Sequence, residues 1–586
     1  MPDAPGRGRS SVQNVGFDSS PAPRTSRTPP TFLTSLTSRT SRALDRLNGW
    51  DTSLRAQRPF GTIVRWAQGP VTSNVESGRF FVGPAILGTL ATTLIILGGC
   101  QPSSPFVQKQ PDAWFFGVSG ATGSTFQVFF GLACVYGGLV LFVRVWLGLM
   151  RAISQSDGVP IKKLAWLLVL WSLPVIIGPP IFSHDIYSYA AQGEMMSRHI
   201  NPYQYGPYTL GQTPLTWLVD PLWYNTPSPY GPLFEEIAGV FTNVAHHNIL
   251  AELVLLRLLA FGGVVLFAAC LPALARSYGR NAAMAFAFAV LNPVTILHLI
   301  GGGHNDALMV GLLVAGLLLA RRRHPVLGIV LCALAASVKA PAAVAIVYIG
   351  WDWVGQKVPF RERIRPVATA VLLGSAVMGA LSVVTGLGWG WVSDLASPDS
   401  VRSWMAPATA IGLGLYQIVH FVGIGLSESS AITAVQLIGL LAAAVISLRL
   451  LLRSDRLGPN GAGPLRALGL TMLWIVVLGP VVQPWYFSWA IVLLAPVVTG
   501  WLRRVLIVLS TALVFICFSG GTQLTHDLRS SYLDVAIDLL ICLVFFLVPL
   551  GRVKRKALSA PVSGVRPAVG VGAPKMSAPA VPQHTP

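Results

Sequence analysis

The sequence predicts an all-α polytopic membrane protein, and three observations carry that prediction. Of 586 residues, 53% are apolar and only 11% are charged, whereas a soluble domain carries about a quarter charged residues. Apolar runs near the ~20 residues needed to cross a bilayer recur along the chain, at 80–99, 126–150, 164–182, 250–271 and 535–550. The charge is also placed as a membrane protein places it. Forty-two Lys and Arg against 23 Asp and Glu give +19, and residues 1–79 (eleven Arg, five acids) and 551–586 (six Lys and Arg, no acid) hold twelve of those charges. A soluble enzyme is excluded. Basic tails beside hydrophobic spans read as cytoplasmic anchors facing anionic membrane lipids, so no nucleic-acid partner is expected. Six Cys show no CxxC pair and no metal-ligand spacing, so neither a disulfide framework nor a metal site is expected.

Residues 1–79 are rich in Ser, Thr, Pro and Arg and are expected to be a largely disordered cytoplasmic region. They are too long and polar for an ordinary signal peptide, which leaves the first span as an uncleaved anchor. Lys and Arg in short loops then orient the chain. Span 80–99 goes out, 125–148 returns to Arg151, Lys162 and Lys163, and 164–182 goes out again. The segment 183–249 is therefore a large extracytoplasmic loop. Span 250–271 leads to Arg276 and Arg280 inside, 281–299 goes out, and 304–320 returns to Arg321-Arg-Arg323. A short pair, 325–339 and 340–355, ends inside at Lys357 and Arg361, and 366–388 goes out. Two stretches, 405–424 and 230–247, are read as re-entrant or interfacial: Gly412, Gln417 and His420 weaken the first, and Glu235, Glu236, His246 and His247 the second. Segments 431–452, 465–481, 484–501, 503–518 and 532–550 complete about 14 spans, and the basic Pro/Ala-rich tail 551–586 is expected to be disordered and cytoplasmic.

This topology puts four polar clusters at the outer ends of spans: Ser183-His-Asp185, Gly301-Gly-Gly-His-Asn-Asp306, Lys339, and Gln483-Pro-Trp-Tyr486. Ionisable groups at membrane depth are costly, and their convergence on one face marks a working site. Asp185 suits a general base at a water-exposed rim, against the alternative of a helix cap. His304, Asn305 and Asp306 open a helix after three glycines, where they suit sugar or phosphate contact, against capping by Asn305 or Asp306. Lys339 suits a lipid-linked phosphate at the headgroup boundary, against snorkelling to the interface. Gln483, Trp485 and Tyr486 suit a sugar-hydroxyl network with ring stacking, while Trp489 is by default an interfacial belt residue. Tyr189, Arg198, Tyr203 and Tyr230, with His184, stand in or beside the outer loop as further substrate contacts. There is no Walker loop, GxGxxG or HExxH motif. A donor already resident in the membrane fits this layout better than a soluble nucleotide sugar.

Ser183-His-Asp-Ile-Tyr-Ser-Tyr189, Asn201-Pro-Tyr203, Ser228-Pro-Tyr-Gly-Pro232, Gly302-Gly-His-Asn-Asp306, Lys339-Ala-Pro341 and Gln483-Pro-Trp-Tyr486 together resemble the actinobacterial polyprenol-phosphate-mannose-dependent α-1,6-mannosyltransferases of the GT-C superfamily. The resemblance covers about 80–550 and implies one catalytic bundle of about 13–15 transmembrane helices with no large soluble domain. It further implies inverting transfer of mannose from polyprenyl-phosphate-mannose to an α-1,6-mannan on a phosphatidylinositol-mannoside lipid, in lipomannan and lipoarabinomannan assembly at the plasma membrane. Asp185 matches the family's base and Lys339 the residue near the donor phosphate. His184-Asp185 stands in place of an Asp-x-Asp or Asp-Glu pair, so a metal-independent reaction without cofactor is expected. Two alternatives stay open: another polyprenyl-linked sugar such as arabinofuranose, or a lipid-sugar flippase, which would favour an inverted repeat and midplane charges.

Overall fold

A computed structural model describes residues 81–101, 124–156, 158–393, 406–423 and 425–516, all within one unit, Val64–Pro586. The expected disordered tails 1–79 and 551–586 and the expected span 532–550 lie outside the described residues. Among those described there are helices and turns and no strand. Helices of eight residues or more are numbered in chain order: α1 Val82–Gly99, α2 Thr125–Ser154 and α3 Ile161–Ile177, then α4 Asp185–Ser197, α5 Pro232–Val244 and α6 Ile249–Ser277. They continue with α7 Ala282–Ala289, α8 Asp306–Arg321, α9 Pro325–Ala336 and α10 Val344–Asp352. The last are α11 Phe360–Val384, α12 Pro407–Phe421, α13 Glu428–Leu452, α14 Gly463–Leu478, α15 Phe487–Leu494 and α16 Gly500–Val514.

The distribution of polarity is that of a membrane protein. Leu372 and Val383 on α11 and Leu437, Ile438 and Leu441 on α13 face outward, whereas Glu252, Arg257 and Arg363 are buried. Apolar side chains outside and charges inside cost nothing against hydrocarbon and would be intolerable in water. Each buried charge is partnered. Arg257 on α6 donates Nη1 to the carbonyls of Val175 (2.9 Å) and Gly178, closing the C-terminal end of α3. Arg363 donates to the Trp351 carbonyl at 3.0 Å and pairs with Asp455 at 2.6 Å.

Five described helices (α1, α6, α11, α13 and the stretch Phe129–Ser154 of α2) are long and apolar enough to cross a bilayer, or six counting α7 with the π-helical segment Val294–Gly301. Other expected spans are present as shorter helices. α8 and α14 have 16 residues each, about 24 Å of helix against a core of about 30 Å. α5 and α12, expected not to span, have 13 and 15 residues.

The interruptions have chemical causes. The expected span 281–299 bends by 52° between α7 and the π-helical segment, because Pro293 has no N–H to continue α7. Asn292 repairs the break: its Nδ2 donates to the Phe288 carbonyl (3.0 Å) and Ser510 (2.9 Å), and its Oδ1 accepts the Val294 N–H (2.9 Å). The wider π turn then delivers Gly301–Gly303 and His304 at the mouth of α8.

Helices cross closely where glycine allows it. A Cβ on Gly311 of α8 would lie 2.5 Å from the Gly263 carbonyl oxygen of α6, a backbone atom that no rotamer change can move. Gly311→Ala should therefore lower the unfolding free energy in detergent by about 1–3 kcal/mol. Gly414→Ala, where a Cβ meets nothing within 4 Å, should be neutral or slightly stabilising. Equal melting temperatures for the two variants would show that this contact does not constrain the fold.

Candidate active site

Two helix N-termini meet at the site. Asp185 is the first residue of α4 and Asp306 the first of α8, and in neither case does the preceding residue, His184 or Asn305, provide a side-chain cap. The carboxylates are thus first-turn acids, favoured there by the helix dipole, with their oxygens turned to other partners than their own helix. The approach of α4 to α8 rests on the glycine run. Gly303 has φ +69°, and a Cβ there would lie 2.4 Å from Ile186 Cδ1, so the residue next to Asp185 packs directly on the turn that leads into α8. The Ile181 N–H also donates to the Gly301 carbonyl at 3.4 Å.

Lys339 enters from the break between α9 and the turn Ala340–Ala343. Its Nζ donates to both oxygens of Asp306, at 3.0 and 2.9 Å. Trp489 Nε1 donates to the same carboxylate at 2.6 Å. The ammonium also lies 4.4 Å from the ring centroid of Tyr486, 5.5 Å from that of Trp489 and 5.6 Å from that of Tyr230, a three-walled aromatic cage. Asp306 is 0% and Lys339 9% exposed. Lys339 therefore does not snorkel. Burial works against its charge, and the adjoining Asp306 carboxylate more than restores it, holding the ammonium above its usual range.

Tyr230 reaches the cage because the Ser228–Pro232 turn docks on the residues before Lys339. The Gly231 N–H donates to the Val338 carbonyl at 3.1 Å and the Leu233 N–H to the Ser337 carbonyl at 3.0 Å. A Cβ on Gly231 would lie 2.3 Å from the Ser337 oxygen, so only glycine permits this seam. Ser228 donates to the buried Glu235 carboxylate, fixing the turn from within. Tyr203 supports the turn from behind by donating its hydroxyl to the Tyr230 carbonyl at 2.9 Å. Tyr189 packs edge-on against Tyr230 at 5.1 Å.

His304 lies with Nδ1 3.5 Å from Asp185 Oδ2, beyond a good hydrogen bond, and its ring stacks on Trp485 at 3.8 Å. Burial, and then the Lys339 charge, hold its pKa well below the usual value, so the imidazole is neutral and the contact is not an ion pair. Burial likewise pushes the Asp185 carboxyl up to about 7, against the pull of Lys339. That is the proton affinity a general base needs near neutral pH. His304 Nε2, both amide atoms of Asn305 and Trp485 Nε1 are buried and meet no hydrogen-bond partner among the described residues. Buried polar atoms of this kind ordinarily face a ligand or water.

The structure thus joins Asp185, His304, Asp306 and Lys339, with Tyr189, Tyr230, Trp485 and Tyr486 around them and Asn305 beside them. It does not bring in Arg198. That side chain is 50% exposed and pairs at 2.7 Å with Glu194 one turn back, at the far end of α4, because a nearby acid on its own helix satisfies it first. His184 stays at the entry to α4, edge-on to Tyr187. Gln483 is half-buried at the start of its turn, and the group from that segment that reaches Asp306 is the Trp489 indole. Trp489 had only a default reading as a belt residue, and its position one helical turn beyond Trp485 is the signal that could have promoted it. Among the described residues, no group of three or more His, Cys, Asp or Glu is placed to hold a metal ion.

Removing one partner of the buried pair leaves the other charge unmatched. Asp306→Asn should lower the unfolding free energy by about 3–5 kcal/mol, and Asp306→Asn combined with Lys339→Met should cost less than Asp306→Asn alone. Additive losses in this cycle, read by thermal unfolding in detergent, would show the two groups to be uncoupled.

The family model described as α-(1→6)-mannopyranosyltransferase, N-terminal domain, matches residues 85–355, and a model described as MptB C-terminal domain matches 408–547. Asp185, Asp306 and Lys339 fall in the first match and Trp485, Tyr486 and Trp489 in the second. The chain is similar to α-(1→6)-mannopyranosyltransferase A of Mycobacterium tuberculosis, 32% identical over 421 residues, which is 70% of this chain and 78% of the relative. It is 32% identical to a probable α-(1→6)-mannopyranosyltransferase of Mycolicibacterium smegmatis over 70% of this chain and 77% of that protein. Against α-(1→6)-mannopyranosyltransferase B of Corynebacterium glutamicum the identity is 28% over 80% of this chain and 82% of the relative. No solved structure matches the chain. With two thirds of the length of such relatives covered at 32% identity, the chain belongs to the α-(1→6)-mannopyranosyltransferase family and is a membrane mannosyltransferase.

Proposed function

We propose that the enzyme transfers mannose from polyprenyl-phosphate-mannose to an α-1,6-mannan acceptor on a phosphatidylinositol-mannoside lipid, with inversion and without a metal, as a step in lipomannan and lipoarabinomannan assembly. The observation that carries the proposal is the meeting of a carboxyl with raised proton affinity, Asp185, and a caged ammonium, Lys339, in one buried site. Asp185 takes the proton of the acceptor hydroxyl as that oxygen bonds to the anomeric carbon. The bond from that carbon to the phosphate oxygen breaks, its electron pair stays on oxygen, and polyprenyl phosphate leaves. Two N–H groups of Lys339 go to Asp306, and the third is the donor for the departing phosphate. Asn305, His304 and Trp485 supply the unpaired polar atoms for sugar hydroxyls.

The catalytic domain is placed at 80–550, with both basic tails cytoplasmic and the site extracytoplasmic at the plasma membrane. α8 supports that orientation: Asp306 stands at one end, and Arg321, Arg322 and Arg323 gather at the other.

Asp185→Asn should lower mannosyl transfer about 10²–10⁴-fold without changing the unfolding temperature, measured with radiolabelled polyprenyl-phosphate-mannose and a short mannoside acceptor. An undiminished rate in that variant removes Asp185 as base. Because the ionised carboxylate is the working form, kcat/KM should rise with pH and level off above about 7. A flat profile between pH 5.5 and 8.5 would contradict this. Lys339→Gln should weaken donor use more than acceptor use. Chelator should leave the rate unchanged, and loss restored by Mn²⁺ or Mg²⁺ would overturn the metal-free mechanism. Consumption of only a polyprenyl-linked arabinose would overturn the proposed donor.

A further inference from the structure

A second cavity of about 670 Å³ lies away from the site just described, lined by residues at the opposite ends of the same helices: Tyr278 after α6, Leu317 to Arg323 at the end of α8, Tyr348 to Gln356 around the end of α10, and Asn460 to Leu468 at the start of α14. Its size is that of an ordinary small-ligand site. Asp306 and Arg321 close the two ends of α8, about 22 Å apart along the axis, so this cavity takes no part in sugar transfer.

The lining is amphiphilic. Arg321 lies 4.6 Å over the Tyr278 ring, and its Nη2 donates to the carbonyls of Ser277 (3.3 Å) and Asn460 (3.2 Å). The guanidinium is thereby fixed through one nitrogen, and the planar fork that recognises phosphate has two more. Arg323 stands beside it at φ +67°, directly past the helix end, in a conformation where glycine is the usual residue. A long cation is held there at a backbone cost. Opposite lies an apolar wall that includes Leu317, Leu465 and Leu468. Asp352 also lines the cavity; it disfavours a ligand with more than one negative charge. The depth is that of lipid headgroups: α6 has 29 residues, about 43 Å, which carries its end and Tyr278 beyond a hydrocarbon core of about 30 Å.

We propose that this cavity binds a phospholipid with a single negative charge, its phosphate on Arg321 and Arg323 and an acyl chain along Leu317, Leu465 and Leu468. The full-length protein in detergent, titrated with fluorescent phosphatidylglycerol, tests this. Arg323→Gln changes an exposed side chain and should leave the unfolding temperature unchanged while weakening binding about tenfold. Leu317→Trp, which fills the apolar half, should weaken it at least as much. Unlabelled phosphatidylglycerol should displace the probe, whereas diacylglycerol and inorganic phosphate should not. Equal affinity in wild type and Arg323→Gln would overturn the proposal, as would displacement by diacylglycerol. Displacement by millimolar inorganic phosphate would overturn the lipid as occupant in favour of a free anion. Should Leu317→Trp fail to fold, Arg323→Gln with the competitors still decides the question.

Discussion

The buried ion pair between Lys339 and Asp306 is the constraint on which the rest of the site depends. Its members lie 33 residues apart, on segments joined only through α8 and α9, and two further segments close around it: α15 through the Trp489 indole and the Ser228–Pro232 turn through Tyr230. Taking both charges out of water costs several kcal/mol per ion. Only tight geometry offsets that, and here both carboxylate oxygens and three aromatic faces are in contact with one ammonium. A pair so demanding fixes the relative positions of four chain segments. Hydrophobic contact, which is nondirectional, would leave them free to slide.

The pair also sets the chemistry of its neighbour. Asp185 shares the enclosure with one cation and one other carboxylate, and burial outweighs the pull of Lys339. Had Asp306 been absent, the full positive charge of Lys339 would act on Asp185 and hold it ionised and weakly basic. By neutralising most of that charge, Asp306 lets the base keep a useful proton affinity. The cost is a weaker attraction for a phosphate, and the remaining N–H of Lys339 compensates by direction: a short charge-assisted bond along one axis. His304, neutral and stacked on Trp485, adds a polar edge to the enclosure without adding charge.

Much of this was legible in the sequence because cost is legible. Asp185, His304, Asp306 and Lys339 stood out as ionisable groups among apolar runs, and the structure brings these four together. The pairing within the set was not legible. Nothing local says that Lys339 meets Asp306 and not Asp185, since that depends on where α9 ends and how the Gly231 seam docks. Trp489 was obscured by base frequency: indoles near span ends are common, and only the 2.6 Å bond to Asp306 separates this one from the belt. Arg198 failed for the opposite reason. Its surroundings in the loop looked functional, but Glu194 lies one turn back on the same helix and settles its partner locally. The expected span 281–299 contains Asn292-Pro293, a breaker that hydropathy averaging hides.

These interruptions explain how a bundle of apolar helices holds a polar site at all. Unbroken helices present only side chains, and their backbone groups are already spent on one another. Every acting residue here sits instead at a discontinuity: Asp185 and Asp306 at helix starts, His304 after a π turn, Lys339 between two short helices, and Trp485 in the turn before α15. Irregular backbone at such depth is tolerated only when protein encloses it, and the enclosing elements are the same ones that carry the site. Shortness in α8, α9, α10 and α15 is therefore not a defect of spanning. It is the geometric condition for several chain ends to converge on one small volume, and lengthening any of them by one turn would withdraw its polar residue from the cluster by about 5.4 Å.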